Sequence, residues 1–143
     1  MTTWATAVLL IIAAMAAAFP WVVRIGFRAP RIIEQGSPEQ YSLAYREISI
    51  PTENGKRLFA WFVPPPATGP APAVAVLHGW GGNAEMMLPL AQPLHRAGYA
   101  VLLFDSRNHG RSDSDGFSSM PRFAEDLEHA LDWLALQPDV DAT

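Results

Sequence analysis

The sequence contains no cysteine. That absence excludes a disulfide framework, a cysteine-ligated zinc site and a thiol nucleophile. Charge is also scarce: 17% of the 143 residues are charged, against 50% hydrophobic. A disordered chain needs the opposite balance, so a folded core is expected, and the length suits about one domain. Lys56 is the only lysine among ten cations, and the net charge is −4. An acidic balance argues against nucleic acid as the main partner. The four histidines (His78, His95, His109, His129) show no zinc spacing. No Gly-Lys-Ser/Thr completes a phosphate loop around the glycines at 79, 81 and 82. No metal and no cofactor is therefore expected.

Charge is missing altogether from Met1 to Val23. The run 4–23 is 20 residues long with Pro20 as its one helix breaker. At about 1.5 Å per residue it covers the roughly 30 Å hydrocarbon core of a bilayer. Trp4 and Trp21 stand near its ends, where amphipathic rings prefer the interface. Residues 1–23 are therefore expected to be a single-pass anchor whose partner is the lipid bilayer, through residues 4–23. A cleaved signal peptide is the rival, with Ala16, Ala17 and Ala18 as small residues for cleavage. Against it, no Lys or Arg precedes the apolar run, which is long for a signal. A buried core helix fits poorly in so short a chain. Arg24, Arg28 and Arg31 follow the run, and positive residues favour the cytoplasm. The expectation is a cell-membrane protein with its soluble part cytoplasmic.

Residues 24–40 read as a basic juxtamembrane linker, broken by Gly26, Pro30, Gly36 and Pro38. Residues 41–143 read as an α/β unit. A strand is expected over 41–50, with Tyr41, Leu43 and Tyr45 on one face, Ile48 and Ile50 on the other, and a face switch near Arg46. An Asn54-Gly55 turn joins it to a strand over 57–63. Five prolines between 64 and 72 make a stiff connector. The apolar runs 73–77 and 99–104 suit buried parallel strands. Between them a helix is expected over 83–97, capped by Asn83 and interrupted by Pro89 and Pro93. A second helix is expected over 121–137, burying Phe123, Leu127, Ala130, Leu131 and Leu134. Glu125, Asp126, Glu128 and Asp132 would form its solvated face.

Two loops carry the chemical information. His78-Gly79-Trp80-Gly81-Gly82-Asn83 follows the first parallel strand. Its glycines let the backbone turn tightly and leave N–H groups uncovered, as an oxyanion site requires. Asp105-Ser106-Arg107-Asn108-His109-Gly110-Arg111-Ser112 follows the second, at the sheet edge where open α/β sheets bind ligands. Asp105 and Arg107 are expected to form an ion pair or hydrogen-bond network that fixes this loop.

These two loops resemble those of the α/β-hydrolase superfamily, in particular its serine aminopeptidase-like and esterase-like members. The resemblance covers residues 41–143 and implies the N-terminal half of such a domain, strands one to four in the order 1-2-4-3. It implies that the Trp80 backbone N–H is half of an oxyanion hole. His78, Gly79, Gly81 and Gly82 would shape that loop, with Asp105, Arg107, Gly110 and Ser112 structuring the next. The family cleaves esters, thioesters or amides by acyl transfer through Ser, His and Asp/Glu.

No Gly-x-Ser-x-Gly elbow occurs in the 143 residues. The stretch Gly110-Arg111-Ser112-Asp113-Ser114 comes nearest, with Ser114 where the second glycine belongs. Nucleophile, acid and catalytic His are thus absent, and this chain alone is expected to be inactive. Three readings follow: the first piece of a membrane-anchored serine hydrolase, awaiting a small-molecule or peptide acyl substrate; a non-catalytic binding protein; or one half of a split hydrolase.

Overall fold

The structure is a computed structural model that describes residues 2–141. Met1, Ala142 and Thr143, at the ends of the segments 1–23 and 41–143, lie outside the described residues.

The uncharged run forms α1 (Thr2–Gly26), which absorbs Pro20 within its length. Apart from the half-buried Val23, the apolar side chains described along it are exposed, and none of its span is fully buried against the rest of the chain. It is long and apolar enough to cross a membrane.

The remainder builds a four-stranded sheet. Its strands are β1 (Arg46–Pro51), β2 (Arg57–Val63), β3 (Ala73–Leu77) and β4 (Ala100–Phe104). The order is β1-β2-β4-β3. β1–β2 and β2–β4 are antiparallel and β3–β4 is parallel. The hairpin turn has Asn54 at φ 58° and Gly55 at φ 66°, the double positive φ that a tight two-residue turn demands.

The first strand starts later than the pattern suggests. Residues 38–41 form a single 3-10 turn led by Pro38, and Ser42 sits at φ 56° in the left-handed region. Extended pairing is impossible through that bend, so β1 begins at Arg46. The face switch is present all the same. Leu43, Tyr41 and Tyr45 pack on one side of the sheet, Ile48 and Ile50 on the other.

Alternation along β2 and β4 divides the core in two, because successive side chains point to opposite faces. Phe59, Trp61, Val63, Val101 and Leu103 meet Leu88 and Ala91 of α2 (Leu88–Arg96) on one face. Leu58, Ala60, Phe62, Leu102 and Phe104 meet Ala130 and Leu134 of α3 (Met120–Ala135) on the other. The result is three layers, with β4 buried at every position. The α2 region divides just ahead of Pro89, whereas Pro93 lies inside the helix and does not end it. A 3-10 turn over 84–87 comes first, and the α-helix begins at Leu88. Pro89 then falls in the first turn, where its missing N–H has no intrahelical acceptor to lose.

The buried stripe of α3 differs from the expected one. It comprises Phe123, Asp126, Ala130 and Leu134, while Leu131 is exposed. Asp126 replaces Leu131 because Arg107 lies beneath it, as described below.

Candidate functional site

Both informative loops emerge at the carboxyl end of the β3–β4 pair. After Leu77 the chain turns at once: the Gly82 N–H donates to the Gly79 carbonyl at 3.0 Å. Gly81 has φ +71°, and a Cβ on Gly82 would stand 3.1 Å from both the Gly79 oxygen and His78 Cβ. Side chains are thus excluded here by conformation and by space. The Asn83 side chain closes the turn, accepting the Met86 N–H at 3.2 Å, as its role of cap requires. Its amide also donates to the Ile32 carbonyl in the linker. The Trp80 backbone N–H has no acceptor among the described residues. Its half-exposed ring stands edge-on to Phe27 and His109.

His78 is buried and bonded at both nitrogens. Nε2 accepts the Ser106 N–H at 3.2 Å, which leaves Nδ1–H to donate to the Gly79 carbonyl at 2.7 Å. Burial lowers its pKa and keeps the ring neutral. The side chain therefore ties the glycine loop to the loop after β4. His109, expected in a polar loop, is fully buried instead. Its ring packs 4.8 Å from His78 and 5.2 Å from Phe123, and burial lowers its pKa as well.

Asp105 is the second tie. Fully buried, it accepts the Ala84 N–H and the Arg111 N–H, each at 2.8 Å. It makes no pair with Arg107, so of the ion pair or hydrogen-bond network expected from sequence the structure shows only hydrogen bonding. Arg107 points toward α3 instead: Nε donates to Asp126 Oδ1 at 2.7 Å and its backbone N–H to Oδ2 at 2.8 Å. Asp115, Glu125 and the Arg122 carbonyl accept from its two terminal nitrogens. Burial opposes the Arg107 charge, but the Glu125 and Asp126 carboxylates outweigh it and raise the pKa. A guanidinium offers five donors in a fork, and one carboxylate cannot satisfy them. That need draws Asp126 inward from the face where Glu128 and Asp132 remain exposed.

Ser112 is structural. Its buried hydroxyl donates to the Asp105 carbonyl at 2.6 Å and accepts the Phe59 N–H at 2.8 Å. Gly110, at φ +43°, has no room for a side chain, because Asp105 and Glu34 carboxyl oxygens occupy the Cβ position.

The linker contributes Glu34, which the sequence reading passed over, and Arg31, which it took only as part of the basic flank. Arg31 donates to the Gly110 and Ser112 carbonyls and to the Ser114 hydroxyl. Glu34 lays its carboxyl against Asp105, with both oxygens buried and without a hydrogen-bond partner among the described residues. Desolvation, then the Asp105 side chain, pushes its pKa up to about 7. Beside so many membrane-proximal cations, neither residue carries a local pattern that marks it.

The fold and these loops can be set against known proteins. A family model described as the alpha/beta hydrolase fold matches residues 72–138. A Mycobacterium tuberculosis protein named only as uncharacterized is 40% identical over 98 residues, covering 68% of this chain and 34% of its own length. The thiohydrolase aneE of Aspergillus aculeatus is 33% identical over 105 residues, covering 68% and 31%. Among solved structures, a Pyrococcus furiosus esterase superposes with a TM-score of 0.70 at 28% identity, covering 79% of this chain and 42% of the esterase. The chain thus spans about a third of the length of the curated relatives it matches. By its β1-β2-β4-β3 sheet, its two loops and these likenesses, the chain belongs to the α/β-hydrolase superfamily.

Proposed function

We propose that the chain supplies the membrane anchor and the oxyanion loop of a serine hydrolase that cleaves an ester, thioester or amide by acyl transfer. One observation carries this reading. The glycine turn after parallel β3 is locked to the β4 loop through His78 and Asp105, while the Trp80 N–H remains free. A preorganised donor of this kind stabilises the negative oxygen of a tetrahedral intermediate. Because it is already in place, it costs no reorganisation at the moment of reaction.

Residues 1–143 offer no Gly-x-Ser-x-Gly, and on this reading the nucleophile, the acid and the His are supplied from outside them. Ser112 does not substitute, since its hydroxyl is buried and committed at both its donor and acceptor sides. The names of an esterase and a thiohydrolase among the similar proteins support an ester or thioester as substrate. α1 holds the domain at the bilayer through residues 4–23, with the soluble part on the cytoplasmic side by the Arg24, Arg28 and Arg31 excess.

The test is an intact mass of the native product from host membranes, combined with fluorophosphonate labelling of serine nucleophiles. The expected product is labelled and much heavier than 15.6 kDa. An unlabelled product near that mass would remove hydrolysis by this chain and favour a binding role or a split enzyme.

A further inference from the structure

An open cleft of about 670 Å³ lies where α1 meets the soluble domain. Trp21, Arg24 and Arg28 line one side, Asn108, Gly116 and Phe117 the other, with Arg31 and Pro30 between. No acidic side chain lines it among the described residues. Arg31 is already committed to the Gly110, Ser112 and Ser114 oxygens. Arg24 and Arg28 are not: both are exposed, and neither has a carboxylate partner among the described residues. Arg24 lies only over the Trp21 ring, at 5.8 Å.

The depth of the cleft follows from counting. Twenty residues from Trp4 at about 1.5 Å each bring the chain to the far edge of the hydrocarbon core at Val23. Trp21 then stands at the edge of the core, Arg24 at headgroup level, and Arg28 just beyond the helix end. The opposing wall is braced, because Asn108 exchanges two hydrogen bonds with the Asp115 backbone. The cleft is therefore a cationic pocket, apolar at its Trp21 and Phe117 walls, held at the depth of lipid phosphates.

We propose that this cleft binds the phosphate of an anionic phospholipid headgroup between Arg24 and Arg28. The proposal rests on the reading of residues 4–23 as a membrane segment. A guanidinium matches phosphate with paired donors, and basic pockets at the cytoplasmic membrane face suit anionic headgroups. Since Arg31 links the same cleft to the loop after β4, the bound lipid would brace the site's second loop from the membrane side.

The full chain in detergent micelles, titrated with phosphatidylglycerol or phosphatidylcholine and read by native mass spectrometry, tests this. The expected result is about a tenfold preference for phosphatidylglycerol. Arg24→Gln with Arg28→Gln should abolish it, and Arg24→Lys with Arg28→Lys should retain only part of it, since an ammonium keeps the charge without the paired donors. Equal retention of the two lipids by the parent chain, or a preference that survives the glutamine pair, would overturn the proposal. Competition by inorganic phosphate at equal concentration would overturn the lipid assignment in favour of free phosphate. Alkaline carbonate extraction separates the two levels. Release of the native protein from host membranes would overturn anchor and pocket together. Carbonate resistance without lipid preference would overturn the pocket alone.

Discussion

At the scale of single residues, the firmest interaction is the pair of Arg107 and Asp126. Both side chains are 1% exposed, and the carboxylate takes bonds from Nε and the backbone N–H. Removing one partner of a buried pair leaves an uncompensated charge, which costs about 3–5 kcal/mol. Asp126→Ala should therefore destabilise by about 3 kcal/mol, since Asp115 and Glu125 retain part of the guanidinium. Glu128→Ala, two residues along on the exposed face, should stay within about 0.5 kcal/mol. Urea unfolding of the full chain in detergent reads both. Equal costs would remove the distinction. Both residues read alike in sequence as helix-face acids. Nothing local separates them, because the difference is made by an arginine 19 residues away.

At the scale of elements, β3 and β4 carry similar apolar runs and occupy different environments. β4 pairs on both edges and is buried throughout. Among the described residues β3 pairs with β4 alone, and its outer edge shows one bridge, Ala71 to Val140, just before the strand. The Ala100 N–H donates to the Pro72 carbonyl, so alternation directs the Val74 and Val76 amides toward β4. The Ala73, Ala75 and Leu77 amides point outward. Hydrogen exchange on the chain 1–143 should show these three exchanging orders of magnitude faster than Val74 and Val76. Uniform protection along β3 would mean that another strand covers the edge. The apolar composition of β3 announced a central strand, and the resemblance implied the partner order. Composition alone does not say which edge is filled.

At the scale of the whole molecule, the linker joins the membrane helix to the candidate site. Arg31 and Glu34 both end on the loop after β4, and Asn83 holds the Ile32 carbonyl. Glu34 makes this joint sensitive to pH. Its pKa is about 7 in the folded chain against 4.5 for the free group, so between those values the folded state binds the extra proton. Stability should then fall as pH rises from about 5 to 8, by about 1 kcal/mol once partial exposure is allowed for. Glu34→Gln keeps a neutral donor and should flatten that slope, gaining stability at pH 8 and little at pH 5. Thermal melts of parent and variant across this range check it. A parent as stable at pH 8 as at pH 5 would exclude the raised pKa of Glu34.

Much of this architecture is legible one segment at a time. An uncharged run of bilayer length forms a helix, an Asn-Gly pair makes its turn, and two short apolar runs make adjacent strands. Each follows from a local rule of spacing, charge or backbone freedom. The glycine loop is legible for the same reason: a tight turn with free N–H groups excludes side chains wherever it occurs. The late start of β1, the burial of His109 and the inward turn of Asp126 have no such local cause. Tertiary structure alone decided them, because each depends on a partner distant in sequence. Desolvated charges and ring nitrogens must find their donors and acceptors across the fold, and only the packed sheet determines which residues come within reach.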